Sequence, residues 1–252
     1  MKTIAIGMHR MWKRFTGWPR AALLEMTFMV LNDLFFVFIW YLAVQNKVIP
    51  GWGLPEAGLF LGSAMAGFAI AIILFGGLLN LQRVVDGTFD TYFLRPKSVW
   101  LQFATDTESI SAAGDIFAGT FLLALTPYPF WAKIFTVASV AGIFVASATA
   151  VAGLFIGLRA LSHNVFRDIH EIGFMQAVWP SHVIDDKWLR LIFVFIIPGL
   201  LYVTLPIEVL RGESPVWPLL AGYAVWTIVP IVIWKWGIKR YTGVSGIGWM
   251  GT

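Results

Sequence analysis

The sequence predicts an all-α integral membrane protein with six transmembrane helices, and three observations lead there. Hydrophobic residues make up 58% of the 252 and charged residues only 13%, about half the share in a globular domain. Six runs are apolar over the roughly 20 residues that a helix needs to cross a bilayer. The basic residues divide unevenly between alternate loops, as they do in multi-pass proteins. There is no cysteine, which excludes disulfides, thiol catalysis and thiolate metal sites. Residues 1–252 read as one transmembrane domain.

In MKTIAIGMHRMWKRFTGWPR, residues 1–20, Ile4, Met8, Met11, Trp12 and Phe15 recur at helical spacing with Arg10, Lys13 and Arg14 between them. This pattern predicts a helix lying in the membrane interface; a disordered basic tail is the alternative. No cleavable short apolar segment follows the basic N-terminus, so the first long run is expected to stay in the membrane. The spans are placed at 24–45, 58–80, 112–129, 134–158, 189–207 and 216–236. The third is short and carries Asp115 near its start. The fourth contains SVAGIFVASATAVAGLFIG (139–157), whose small residues, Gly153 and Gly157 among them, suit close helix packing in lipid. Pro198 and Pro206 interrupt the fifth, where kinks or a re-entrant outer turn before the last span are expected. Such backbone is tolerated at depth when protein or water covers it.

With the N-terminus in the cytoplasm, the inner segments hold Lys2, Arg10, Lys13, Arg14, Arg20, Arg83, Arg95, Lys97, Arg159, Arg167, Lys187, Arg190, Lys235, Lys239 and Arg240. The outer segments hold only Lys47, Lys133 and Arg211. The bias favours six spans with both termini cytoplasmic. The inner loops are then 81–111 and 159–188.

No G-x-x-x-x-G-K-[ST], HExxH or G-x-S-x-G occurs in the chain, so no nucleotide-hydrolysing or hydrolase motif is present. His163, His170 and His182 match no metal-ligand spacing, and a solvated or interfacial role is expected for them; no metal site is predicted. Asn32 and Asp33 fall about a third of the way into the first span. A carboxylate there costs about 2.5–3.5 kcal/mol on insertion scales. It is either a substrate or proton site, an interhelix polar contact, or a sign that the span starts later.

Residues 86–106, DGTFDTYFLRPKSVWLQFATD, interrupt the apolar runs with Asp86, Asp90, Arg95, Lys97 and Asp106. A short helix lying along the cytoplasmic surface, with polar side chains presented to a soluble partner, suits this stretch. A solvated loop with no partner is the alternative.

GTFDTYFLRPKSVWLQF (87–103) resembles the G-x-L-D-x-x-L-L-R-P-x-S-x-x-x-Q signature of bacterial type-2 ABC transporter permeases, and within them the six-span branch with viologen-type exporters. Gly87, Asp90, Leu94, Arg95, Pro96, Ser98 and Gln102 match, and Phe89 and Phe93 stand where leucine is usual. PGWGLPEAGLFLG (50–62) resembles the segment leading into the second span, and AAGDIFAGTFLLAL (112–125) the Gly-Asp start of the third. VWPSHVIDDKWLRLIFVFIIPGLLYVTLPIEVLRG (178–212) resembles the proline-containing fifth span and its re-entrant turn. There Trp179 and Leu205 replace the tyrosines before Pro180 and Pro206. The resemblance covers nearly the whole chain.

It implies the membrane subunit of an ATP-driven exporter in the bacterial inner membrane. Two permeases, identical or sister chains, would form a path of about twelve spans. A separate ATP-binding subunit would hold ATP and Mg, leaving this chain without cofactor or catalysis. The coupling residues would be Asp90, Arg95, Pro96, Lys97, Ser98 and Gln102. Asp90 is the expected partner of Arg95, Pro96 and Ser98 would begin a short helix, and Lys97 and Gln102 would face water. Residues 159–175, with Arg167, Asp168 and Glu171, would give a second contact. Phe28, Asn32, Asp33, Phe35, Phe36 and Trp40 would line the path, suiting amphipathic or aromatic cargo; the viologen-type likeness points towards organic cations. The expected partners are the ATPase, a second permease and the bilayer, not nucleic acid. The competing function is an ATP-independent secondary transporter or channel using Asp33, although no inverted repeat relates 1–130 to 131–252. A membrane enzyme would need a catalytic constellation that the chain lacks.

Overall fold

The helices follow local signals along the chain. The computed structural model describes residues 9, 12–13, 15–107, 109–158 and 186–242, and among them no strand occurs. Helix α1 (Pro19–Gln45) opens with Pro19 in its first turn, where the missing N–H costs nothing. In α2 (Leu54–Phe75) the Glu56 carboxylate accepts from the Gly53 N–H at 2.8 Å, one half of a capping box. A 3₁₀ turn (Gly76–Leu79) leads into α3 (Gln82–Val85). Then come α4 (Val99–Ala104), α5 (Ala112–Leu125) and α6 (Phe130–Leu158). Three short helices follow, α7 (Lys187–Phe195), α8 (Gly199–Tyr202) and α9 (Thr204–Leu210), and α10 (Val216–Arg240) comes last.

α2 stands at the centre, with Leu59, Phe60 and Ala69 fully buried. Glycines set its neighbours' distances. A Cβ on Gly67 would meet Val140 of α6 at 2.4 Å, and one on Gly119 of α5 would meet the Ala66 nitrogen at 2.6 Å. The small-residue face of α6 serves packing: a Cβ on Gly237 of α10 would sit 2.2 Å from the Gly153 carbonyl. Hydroxyl pairs tie α6 to its neighbours, Ser63 to Thr136 at 2.6 Å, Ser147 to Tyr202 at 2.8 Å, and Ser139 to Tyr223. Buried polar atoms need such partners where no water reaches. The outer face of α1 shows Leu24, Phe28, Leu31 and Phe35 bare, apolar surface of the kind lipid covers.

Two predicted spans differ from the structure. Four helical stretches, Pro19–Gln45, Leu54–Val85, Phe130–Leu158 and Val216–Arg240, are long and apolar enough to cross a membrane. The predicted third span, 112–129, is a 14-residue helix, about 21 Å long against a bilayer core of about 30 Å. Residues 126–129 form the turn into α6. The predicted fifth span, 189–207, is not one helix. The chain turns at Pro198, and Arg190 of α7 pairs with Glu208 of α9 at 2.6 Å. The Val194 carbonyl accepts from the Trp226 indole at 3.1 Å, while Arg211 donates to the Gly51 carbonyl at 2.8 Å. The segment 187–210 therefore enters and leaves at one end of the bundle, the end with the α1–α2 and α5–α6 turns. Lys187 and Arg190 move with it, away from the inner set in which the sequence put them. A re-entrant turn was expected here, but only after a full crossing.

Described residues among 9–17 are helical, and the Trp12 and Phe15 rings stack at 6.1 Å. Ile4, Met8, Arg10, Met11 and Arg14 lie outside the described residues, as do His163, Arg167, Asp168, His170, Glu171, Trp179, Pro180 and His182.

Candidate functional site: an aromatic-cored hairpin at one end of the bundle

Residues 86–106 fold on their own aromatic side chains. Gly87 takes φ +80°, and the Asp86 carboxylate accepts from the Thr88 N–H at 2.9 Å. That turn starts a 3₁₀ segment, Thr88–Tyr92, where glycine tolerates the left-handed backbone. Ser98 caps α4, accepting from the Leu101 N–H at 3.4 Å, as its residue type suggests. Phe89, Tyr92, Phe103 and Ala104 are buried against Phe155 and Ile156 of α6 and Trp234 of α10. Phe89 packs edge-on to Phe103 at 5.1 Å, a favoured aromatic geometry.

Polar bonds brace this core. Tyr92 donates to Asp106 at 2.6 Å, Arg83 donates to Tyr92 at 2.6 Å, and Arg83 also pairs with Asp106. The Gln102 amide donates to the carbonyls of Tyr92 and Lys97, both at 3.1 Å, closing the loop between them. The Trp100 indole donates to Thr149 of α6 at 3.1 Å. The Tyr241 hydroxyl, just beyond α10, donates to Asp90 at 2.6 Å. Burial first, then the Asp90 carboxylate, holds the Tyr241 phenol well above its ordinary range. What stays bare is the tip, with Leu94 84% exposed beside exposed Arg95, Pro96, Lys97 and Ser98.

The six predicted coupling residues thus divide. Arg95, Pro96 and Lys97 form the tip, and Ser98 begins α4. Two expectations are corrected. The partner of Asp90 is Tyr241, because the 3₁₀ segment aims its carboxylate at α10. Gln102 is buried and bonds backbone carbonyls instead of facing water. Tyr92 and Tyr241 were missed, although aromatics at 89, 92, 93 and 103 already signalled a core.

The predicted path residues lie on two faces of α1. Phe28, Asn32, Phe35 and Phe36 are exposed, whereas Asp33 and Trp40 point into the bundle. Trp40 stacks on Phe60 at 4.7 Å. Asp33 faces Asp115 of α5 closely enough for the two carboxyls to interact, the interhelix contact foreseen as one option. One oxygen of each, Asp33 Oδ2 and Asp115 Oδ1, has no hydrogen-bond partner. No group able to hold a metal occurs among the described residues.

Residues 26–245 match a family model described as ABC-2 family transporter protein. The chain belongs to the ABC-2 transporter family. Comparison with curated proteins gave no match, and comparison with solved structures gave none. As an ABC-2 protein it is a multi-pass permease, the membrane component of an ABC transporter.

Proposed function

We propose that this permease forms the translocation path of an ATP-driven exporter as a dimer, and that the hairpin 86–106 docks a separate ATP-binding subunit. The observation that carries this is the contrast within the hairpin: a fixed aromatic core joined to α6 and α10, and a bare tip of Leu94, Arg95, Pro96 and Lys97. A tip held that firmly can pass a push into the spans. ATP and Mg belong to the partner.

In this reading both termini are cytoplasmic, on the side of the hairpin. α1 begins and α10 ends at the hairpin end of the bundle. Leu158 lies at that end, beside Trp236 through Gly157. Arg20, Arg83, Arg95, Lys97, Lys239 and Arg240 belong to the elements at the hairpin end, the bias expected of a cytoplasmic face. The bare aromatic face of α1 suits a path or dimer surface for amphipathic cargo.

Purification of the tagged permease from its own membrane tests this reading. A stoichiometric ATPase in the eluate is expected, and its loss in Arg95→Ala or Leu94→Asp supports the tip as the dock. The Asp33–Asp115 pair favours a second reading, an ion-coupled transporter without ATP. Solute movement by the purified chain in vesicles lacking ATP would select it.

A further inference from the structure

We infer that Tyr241 is a positioning residue for coupling, tying the docking hairpin to the end of α10 so that load on the tip reaches the last span. This rests on the docking reading and adds the route by which the push travels. Three contacts converge on one side chain. The Tyr241 hydroxyl bonds Asp90 at 2.6 Å. Its ring lies parallel to Phe93, 4° between planes and 5.5 Å between centroids. Phe89 meets it edge-on at 5.1 Å. Phe93 directly precedes the bare Leu94, so the stack sits one residue from the tip.

Tyr241 is the C-cap of α10, its N–H bonded to the Ile238 carbonyl at 3.2 Å. Above it, Trp234 of the same helix meets Phe89 and Phe103. α10 therefore grips the hairpin at two levels about 10 Å apart along its axis. The approach of Gly153 and Gly237, backbone to backbone, leaves no side-chain slack between α10 and α6. A hairpin displaced by its partner carries both helices with it. The hairpin's own sequence does not show this, because Tyr241 lies 151 residues from Asp90.

The test uses the whole complex, permease with bound ATPase, in lipid nanodiscs. The chain has no native cysteine, so spin labels enter cleanly at Val48→Cys and Trp217→Cys, exposed positions at the opposite end. The readout is the change in label distance on adding ATP and vanadate, with bound ATPase measured in the same sample. Tyr241→Ala should lose the ATP-dependent shift with ATPase occupancy unchanged. Tyr241→Phe, which keeps the ring stack and removes one hydroxyl, should retain part of the shift and guards against a folding defect. A full shift in Tyr241→Ala overturns the inference. So does joint loss of shift and ATPase, which would make Tyr241 part of the dock. A native permease that binds no ATPase overturns the docking reading itself.

Discussion

Arg190 and Glu208 face each other at 2.6 Å across a turn of 18 residues, and this pair defines the fold of 187–210. Glu208 is 3% exposed and also accepts from Ser214 at 2.6 Å. The pair places Lys187 with Lys47 and Lys133 and apart from Lys97. Single cysteines at Lys187, Lys47 and Lys133 should therefore react with an impermeant maleimide from the same side of intact cells. A cysteine at Lys97 should react only after the membrane is opened. Labelling of Lys187→Cys together with Lys97→Cys would refute the hairpin geometry.

Core and tip of the docking hairpin should separate under mutation. Phe89 is fully buried, so Phe89→Ala should cost about 3–5 kcal/mol and show as a large fall in detergent melting temperature. Leu94→Ala should stay within about 0.5 kcal/mol of the parent yet reduce the ATPase captured. Equal melting losses in both would mean that the tip is not a free surface.

Gly77 fixes the hairpin against the end of α2. A Cβ there would come 1.9 Å from the Phe103 carbonyl, which is backbone and cannot swing aside. Gly77→Ala should destabilise by about 1–3 kcal/mol through forced displacement. Gly142, with nothing within 4 Å of an added Cβ, is the control, and Gly142→Ala should leave the melting temperature unchanged or raise it.

The carboxyl pair between α1 and α5 predicts non-additivity. Asp33→Leu alone leaves Asp115 buried without its partner, costing about 1–3 kcal/mol. Removing both, Asp33→Leu with Asp115→Leu, should recover most of that loss, since coupled sites do not add. Melting curves of the four chains measure the coupling. Asp33→Asn with native stability and lost transport would instead give the carboxylate a working role.

Two phenols at the ends of the bundle keep their protons well past neutral pH. Burial, then the Glu56 carboxylate, pushes the Tyr128 phenol up to about 12, and burial likewise raises Tyr241. A raised value means that the folded chain holds the proton more tightly than the unfolded one. Their contribution to stability is complete below the ordinary tyrosine value of about 10 and is lost only as pH rises through the raised one. Tyr241→Phe should therefore lower stability by the same amount at pH 6 and at pH 9. A difference that shrinks within that window would contradict the donation to Asp90.

Local chemistry was readable and lateral contact was not. Ser98 announces its helix by type and position, and Pro198 marks the place where the chain turns. Hydropathy could not tell whether 189–207 crosses or turns back, because both courses need an apolar surface. The Arg190–Glu208 pair and the bonds of Trp226 to Val194 and of Arg211 to Gly51 decide it. Asp33 stood out as costly in lipid and Asp115 was noted only at the start of a short span, and their 82-residue separation hid their meeting. Gln102 read as water-facing because polarity was taken for exposure, and Asp90 was matched to the nearby Arg95, while their partners came from backbone carbonyls and from a distant tyrosine.

The Gln102 amide, bonded to the carbonyls of Tyr92 and Lys97, has a kinetic consequence. It ties together the ends of the segment that carries the tip, so the tip is preorganised before anything binds. Little conformational entropy remains to be lost on contact. A partner thus meets a finished surface, and changes in the tip should act mainly on how long the complex lasts.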